Sequence, residues 1–159
     1  MAEGRAGPGE PVPGAPGPGD PRSAGYELLE HTADVGIRAR GPTLEAAFEQ
    51  ATRGLAEVLG ALAPEGSTEP VAVEVSAGDP GGLLVDWLNE VLWLREVHQA
   101  RMAGVRVERV GDGTAAGWVA FSGDDPPPDG TLVKAVTYHR LRVEPGPGGG
   151  WLIEVYLDV

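Results

Sequence analysis

Asp34, in the segment EHTADVG, and the terminal pair Asp158–Val159 form the chain's strongest chemical pattern. At the C-terminal end, a side-chain carboxylate stands beside the free α-carboxylate of Val159, with a main-chain carbonyl between them. That is a compact set of hard oxygen donors, suited to Ca²⁺, Mg²⁺ or Mn²⁺ and mutually repulsive without a cation. Asp34 lies between two short strands and precedes Val35–Gly36, where a turn would aim its side chain out of a sheet. An aspartate that only satisfies its own turn is the plainer alternative. Lys134 is the only lysine, placed in a strand between Val133 and Ala135. It suits a point-charge role toward a carboxylate or phosphate, although a solvent-facing lysine on a strand needs no such role.

Other chemistries find little support. The chain has no cysteine, which removes disulfides, zinc–thiolate sites and thiol nucleophiles. No serine sits in G-x-S-x-G; the nearest candidate, Ser122 in FSGDD, lies in an irregular loop with no histidine nearby in sequence. PGPGGG lacks the lysine and the strand–glycine–helix setting of a phosphate loop. His31, His98 and His139 show no metal-ligand spacing. A helix C-terminus accounts for His98, and a structural hydrogen bond is the simpler role for the other two. The formal net charge of −12 repels phosphate backbones, so direct nucleic-acid binding is not expected; it favours cations or a basic patch on another protein. The same charge also serves plain solubility. No segment approaches the roughly 20 apolar residues of a membrane span, and the N-terminus lacks a signal-peptide layout. A soluble cytoplasmic protein is expected.

The elements that must position these residues follow from composition and periodicity. Residues 1–25 are rich in Gly, Pro, Ala and Glu, too poor in apolar surface to offset chain entropy, so a disordered tail is expected before a folded unit at 26–159. Tyr26–Leu29 and Val35–Ala39 read as strands. Thr43 caps a first helix in which Leu44, Ala47, Phe48, Ala51, Leu55, Val58 and Leu59 recur at helical spacing. Val71, Val73 and Val75 alternate in a half-buried strand. Gly81–Gly82 introduces a second, strongly apolar helix from Leu83 to about Gln99. On it, Asp86, Asn89, Glu90 and Trp93 share a polar stripe at spacings of three, four and seven. Gly104–Val110 and Gly117–Phe121 read as strands joined by a GDGTAA turn, followed by the loop SGDDPPPDG. Thr131–Val143 is one strand, or two broken by a bulge; PGPGGG connects it to Trp151–Val159. In that last strand Trp151, Ile153, Val155, Leu157 and Val159 point one way, and Leu152, Glu154, Tyr156 and Asp158 the other. Without βαβ regularity, the class is α+β, with mostly antiparallel sheets packed on two helices.

The segments YELLEHTADVGIRARG, TLEAAFEQATRGL, LLVDWLNEVLWL, KAVTYHRLRV and YLDV, in that order, resemble the archease family over nearly all of 26–159. The resemblance implies an α+β fold and a non-enzymatic accessory factor of the RtcB-type RNA ligase. That ligase uses GTP and Mn²⁺ to join a 2′,3′-cyclic or 3′-phosphate RNA end to a 5′-hydroxyl in tRNA splicing and RNA repair. The factor promotes ligase guanylylation and multiple turnover. Asp34, Asp158 and Val159 then match metal ligands, while Asp86 and Lys134 match polar positions on which activity relies. A stand-alone metal-dependent phosphoester hydrolase using the same carboxylates, and a general chaperone or modulator, are the alternatives; the first lacks a convincing general base.

Overall fold

Capping chemistry sets both helices of the computed structural model, which describes residues 23–30, 34–60, 63, 70–122 and 130–159. The Thr43 hydroxyl accepts the Ala46 amide at 3.1 Å, opening α1 at Leu44–Val58 as the sequence pattern requires. The second helix, α2, spans Pro80–His98 and starts three residues before Leu83. Asp79 caps it by accepting the Gly82 amide at 2.6 Å, and Pro80 takes the first position, where a missing N–H costs nothing. That Asp–Pro pair was the true start signal; the glycines that follow it are already helical. The tail up to residue 22, His31 and most of the SGDDPPPDG segment lie outside the described residues.

Strands β1 (Gly25–Glu30), β2 (Asp34–Gly41), β6 (Ala135–Pro145) and β7 (Trp151–Asp158) form one sheet in the order β1-β2-β7-β6. Strands β3 (Val71–Ser76), β4 (Met102–Gly111) and β5 (Thr114–Phe121) form a second in the order β3-β5-β4. Every pairing is antiparallel, so the class is α+β. The β4–β5 connection is tighter than the expected GDGTAA turn. Only Asp112 and Gly113 turn, at φ 53° and 75°, a two-residue primed hairpin that lets Thr114–Ala116 pair. Strand β6 begins at Ala135, leaving Lys134 just ahead of it rather than inside it. The bulge allowed for there is present: Tyr138–Leu141 stand between the pairs Thr137↔Tyr156 and Arg142↔Glu154, four residues against Val155 alone.

The inner face of the first sheet presents Ile37, Ala39, Ile153, Val155 and Leu157, all fully buried. Helix α1 packs on β2, and α2 runs against β6, β3 and β5. One buried polar link joins the helices. The Trp87 indole N–H donates to the Thr52 hydroxyl at 3.0 Å, and that hydroxyl donates to the Phe48 carbonyl at 2.7 Å. On the outer face, one row across four strands alternates in charge: Glu27, Arg38, Glu154, Arg142. Glu154, only 8% exposed, accepts from Arg38 at 2.9 Å and Arg142 at 3.3 Å. Arg142 also grips Glu144 and holds its carboxyl below the usual range.

Side chains finish two strand edges. Glu49 and Glu45, one turn apart on α1, accept the Val107 and Val110 amides at 2.9 Å each along the open side of β4. At β6, the Asn89 amide group donates to the Val136 carbonyl at 3.1 Å and accepts its N–H at 3.0 Å. No helix is long and apolar enough to cross a membrane among the described residues.

Thr52→Val should cost about 1–3 kcal/mol in urea unfolding, because it strands a buried indole donor while keeping the volume. A second test uses Tyr26, whose hydroxyl donates to Glu57 at 2.6 Å and so ties β1 to α1. Burial first, and that hydrogen bond second, push its phenol up to about 12. Folding therefore favours the protonated form: the stabilisation is complete below the free value of about 10 and fades as pH rises through the folded value. Urea midpoints measured from about pH 10 to 12 should fall less steeply for Tyr26→Phe than for the parent chain.

Candidate functional site

The register of β2 with β7 sets Asp34 directly opposite Asp158. Opposed residues of such a ladder carry Cβ atoms about 4.5–5.5 Å apart, so the two carboxylates share one spot on the sheet's outer face. Asp34 is thus the first residue of β2, paired in the sheet, and not a turn residue ahead of it. Asp158 is exposed and Asp34 half-buried. Val159 follows at the end of the strand, half-buried against the core. Like charges facing each other cost stability unless positive charge lies close.

Lys134 reaches this spot through its backbone, its N–H donating to the Asp158 carbonyl at 2.7 Å; its side chain is exposed. Ala135 pairs with Asp158 on the far side from Asp34, so β6 completes the row. Asp86 comes from another direction. It is half-buried on α2, one turn before Asn89, whose two hydrogen bonds to Val136 hold the polar stripe against the start of β6. The sheet itself thus gathers Asp34, Asp158, Val159 and Lys134, while Asp86 belongs to the helix docked along its edge.

Two groups have roles that the sequence alone did not reveal, Asn89 and Tyr156. Asn89 stood in the polar stripe without a role; its signal was an amide, able to give and take one hydrogen bond, on a helix beside a strand edge. Tyr156, two residues before Asp158, lies over Gly36: a Cβ there would come within 2.7 Å of the ring, so residue 36 has room for hydrogen alone. The β6 bulge closes around the same ring. The Thr137 hydroxyl donates to the Tyr156 carbonyl at 3.0 Å, His139 stands edge-on at 6.2 Å, and the Arg140 guanidinium carbon lies 5.9 Å from the ring centroid. The ring contact of His139 is this edge-on packing rather than the side-chain hydrogen bond expected of it, and its main-chain N–H donates to the Thr137 hydroxyl at 3.3 Å.

The weaker candidates have structural settings. His98 stacks on Phe121 at 4.6 Å. Ser122 is buried, and its N–H donates to the Arg101 carbonyl at 2.8 Å, unlike an exposed nucleophile. Among the described residues, no three His, Asp or Glu side chains converge as a metal cage. The Asp34–Asp158 pair offers oxygen donors only. These fit a hard divalent ion that keeps part of its shell for water or another molecule, a habit of Mg²⁺ in particular.

A family model described as the Archease protein family matches residues 26–159. The archease of Methanosarcina mazei is 36% identical over 141 residues, covering 84% of this chain and 95% of its own. That of Thermococcus gammatolerans is 36% identical over 142 residues, covering 84% and 98%. The solution structure of Methanobacterium thermoautotrophicum protein 1598 superposes with a TM-score of 0.70 at 29% identity, over 85% of this chain and 99% of that one. A Thermotoga maritima crystal structure, described as an archease and possible chaperone, gives 0.57 at 25% identity, over 84% and 96%.

Asn89→Ala would leave both Val136 backbone groups without their partner. The expected loss is about 1–3 kcal/mol, with faster hydrogen exchange at the Val136 amide than at Ile153 or Val155, read by NMR.

Proposed function

The chain belongs to the archease family, and from that premise we propose a non-enzymatic accessory protein that activates an RtcB-type RNA ligase by promoting its guanylylation and multiple turnover. Asp34, Asp158 and Val159 hold a divalent ion, Ca²⁺, Mn²⁺ or Mg²⁺, with Asp86 and Lys134 serving contact with the partner. The observation that carries this reading is the pairing of Asp34 with Asp158. Two carboxylates at one point of a rigid sheet, open to solvent on the Asp158 side, suit an ion shared with another molecule better than one sealed inside. The ion would supply a Lewis acid able to polarise a phosphoryl oxygen. This chain's own part is positional. The β2–β7 ladder fixes the carboxylates, the Lys134 N–H orients the Asp158 main chain, and Asn89 keeps Asp86 close to the start of β6.

The net charge of −12 fits docking beside a cationic cleft for nucleotide and RNA, where charge complementarity speeds encounter and sets orientation. The cytoplasm, where such a ligase works, is the proposed location. The description of the Thermotoga relative as a possible chaperone supports a second reading, a modulator of several proteins. Recovery of many unrelated partners from lysate, in place of one ligase, would favour it.

Asp34→Ala and Asp158→Ala should each lower stimulation of ligase–GMP formation at least about tenfold, the scale of losing a metal-supporting group, with circular dichroism unchanged. Full stimulation by both variants would sink the proposal. Phosphoester turnover by the purified protein alone would point instead to a hydrolase.

A further inference from the structure

We propose that the solvent face of α2 is the surface that docks on the ligase, and that it fits a basic surface with an apolar cleft for one indole ring; this rests on the ligase reading above. Helix α2 is apolar on almost every side, and such a helix is ordinarily buried whole. Leu84, Trp87, Leu88 and Val91 are fully buried in the core. Trp93 and Val97, one turn apart, are instead each 56% exposed. At about 3.6 residues per turn, Asp86, Glu90, Trp93 and Val97 fall within roughly 60° of the helix circumference, with Glu96 flanking them.

The charges on this face are as unpartnered as its apolar groups. Asp86 and Glu90 are half-buried and Glu96 is exposed, and none of the three carboxylates has a hydrogen bond or ion pair among the described residues. The cations of the same helix are turned elsewhere. Arg95 donates to the Leu59 carbonyl at 3.3 Å, and His98 stacks on Phe121. On the outer face of the first sheet, by contrast, Glu27, Glu144 and Glu154 each meet an arginine.

An indole left in water among unpaired carboxylates stabilises nothing in the isolated chain. Against a partner the ring supplies buried area and one N–H donor, while arginines or lysines meet the carboxylates and can lie on the ring face. Charge complementarity selects that occupant. A second copy of this chain would bring like charge to the face, and so would a nucleic-acid backbone. The face also stands beside the carboxylate site. Asn89 holds α2 on Val136, the second residue of β6, and Ala135 at the start of that strand pairs with Asp158. Only β6 separates α2 from Asp158, so one partner surface can cover both.

The test is a calorimetric titration of the full chain into the RtcB-type ligase, paired with ligase–GMP formation at saturating protein. Trp93→Ser should weaken binding about tenfold or more, the scale of an aromatic anchor in an interface. Its stimulation at saturation should still reach the parent plateau, with circular dichroism unchanged. Glu96→Lys should weaken binding about threefold or more, by a factor that shrinks as salt is raised. Glu108→Lys, the same charge change at an exposed site on β4, should leave the affinity near the parent value. Parent affinity in Trp93→Ser, or an equal loss from Glu108→Lys, would overturn the α2 face while leaving the ligase reading intact. A parent chain that sediments as a dimer, and as a monomer after Trp93→Ser, would overturn it in favour of a second copy. Absence of binding between the parent chain and the ligase would overturn the ligase reading and this surface together.

Discussion

The antiparallel pairing of β2 with β7 in a single register is the constraint on which the other arrangements depend. A slip by one residue would turn Ile37, Ala39, Ile153, Val155 and Leu157 from the core to solvent, since side chains alternate along a strand. Burying each of the larger ones is worth about 1.5–3 kcal/mol. Two carboxylates facing each other on the opposite side cost on the order of 1 kcal/mol or less. The core wins by a wide margin, and Asp34 and Asp158 are held together as a by-product of hydrophobic packing. The same register aligns Arg38 with Glu154 and lays Tyr156 across Gly36.

This shows why an acidic pair can persist without a stabilising purpose of its own. Local interactions did not choose the geometry, so they need not be favourable. The expense is met by the opposite face of the same two strands. What the outer face adds is rigidity: Glu154 is clasped from both sides by arginines, and the bulge of β6 is fastened through Thr137 to the Tyr156 backbone.

Much of the scaffold was legible before the structure. The seven-residue apolar stripe and Thr43 cap defined α1, and the alternation in β7 separated Ile153 and Val155 from Glu154 and Tyr156 correctly. Asp34 and Asp158 were both visible as chemistry. Their meeting was implied only by the family resemblance, because they lie at opposite ends of the folded chain and strand register is set by packing rather than by any local pattern. The start of α2 was misjudged since Gly81–Gly82 suggested a breaker where Asp79 and Pro80 had already begun the helix. The hairpin was read too long for a similar reason: Ala115 and Ala116 have weak strand preference, yet the Asp112–Gly113 turn forces them to pair. Asn89 and Tyr156 were placed on their faces but not given their roles, which depend on what a distant strand presents to them.

The glutamates of α1 along β4 carry a consequence for how the protein comes together. An unpaired strand edge is a template for a neighbouring chain, and hydrophobic strands left open in this way lead to aggregates. Glu45 and Glu49 close that edge only when α1 has docked, and Asn89 closes β6 only when α2 has done so. Helix docking and the removal of adhesive edges are therefore one event during folding. A chain emerging from the ribosome carries α1 ahead of β4, so the shield is synthesised before the edge it must cover.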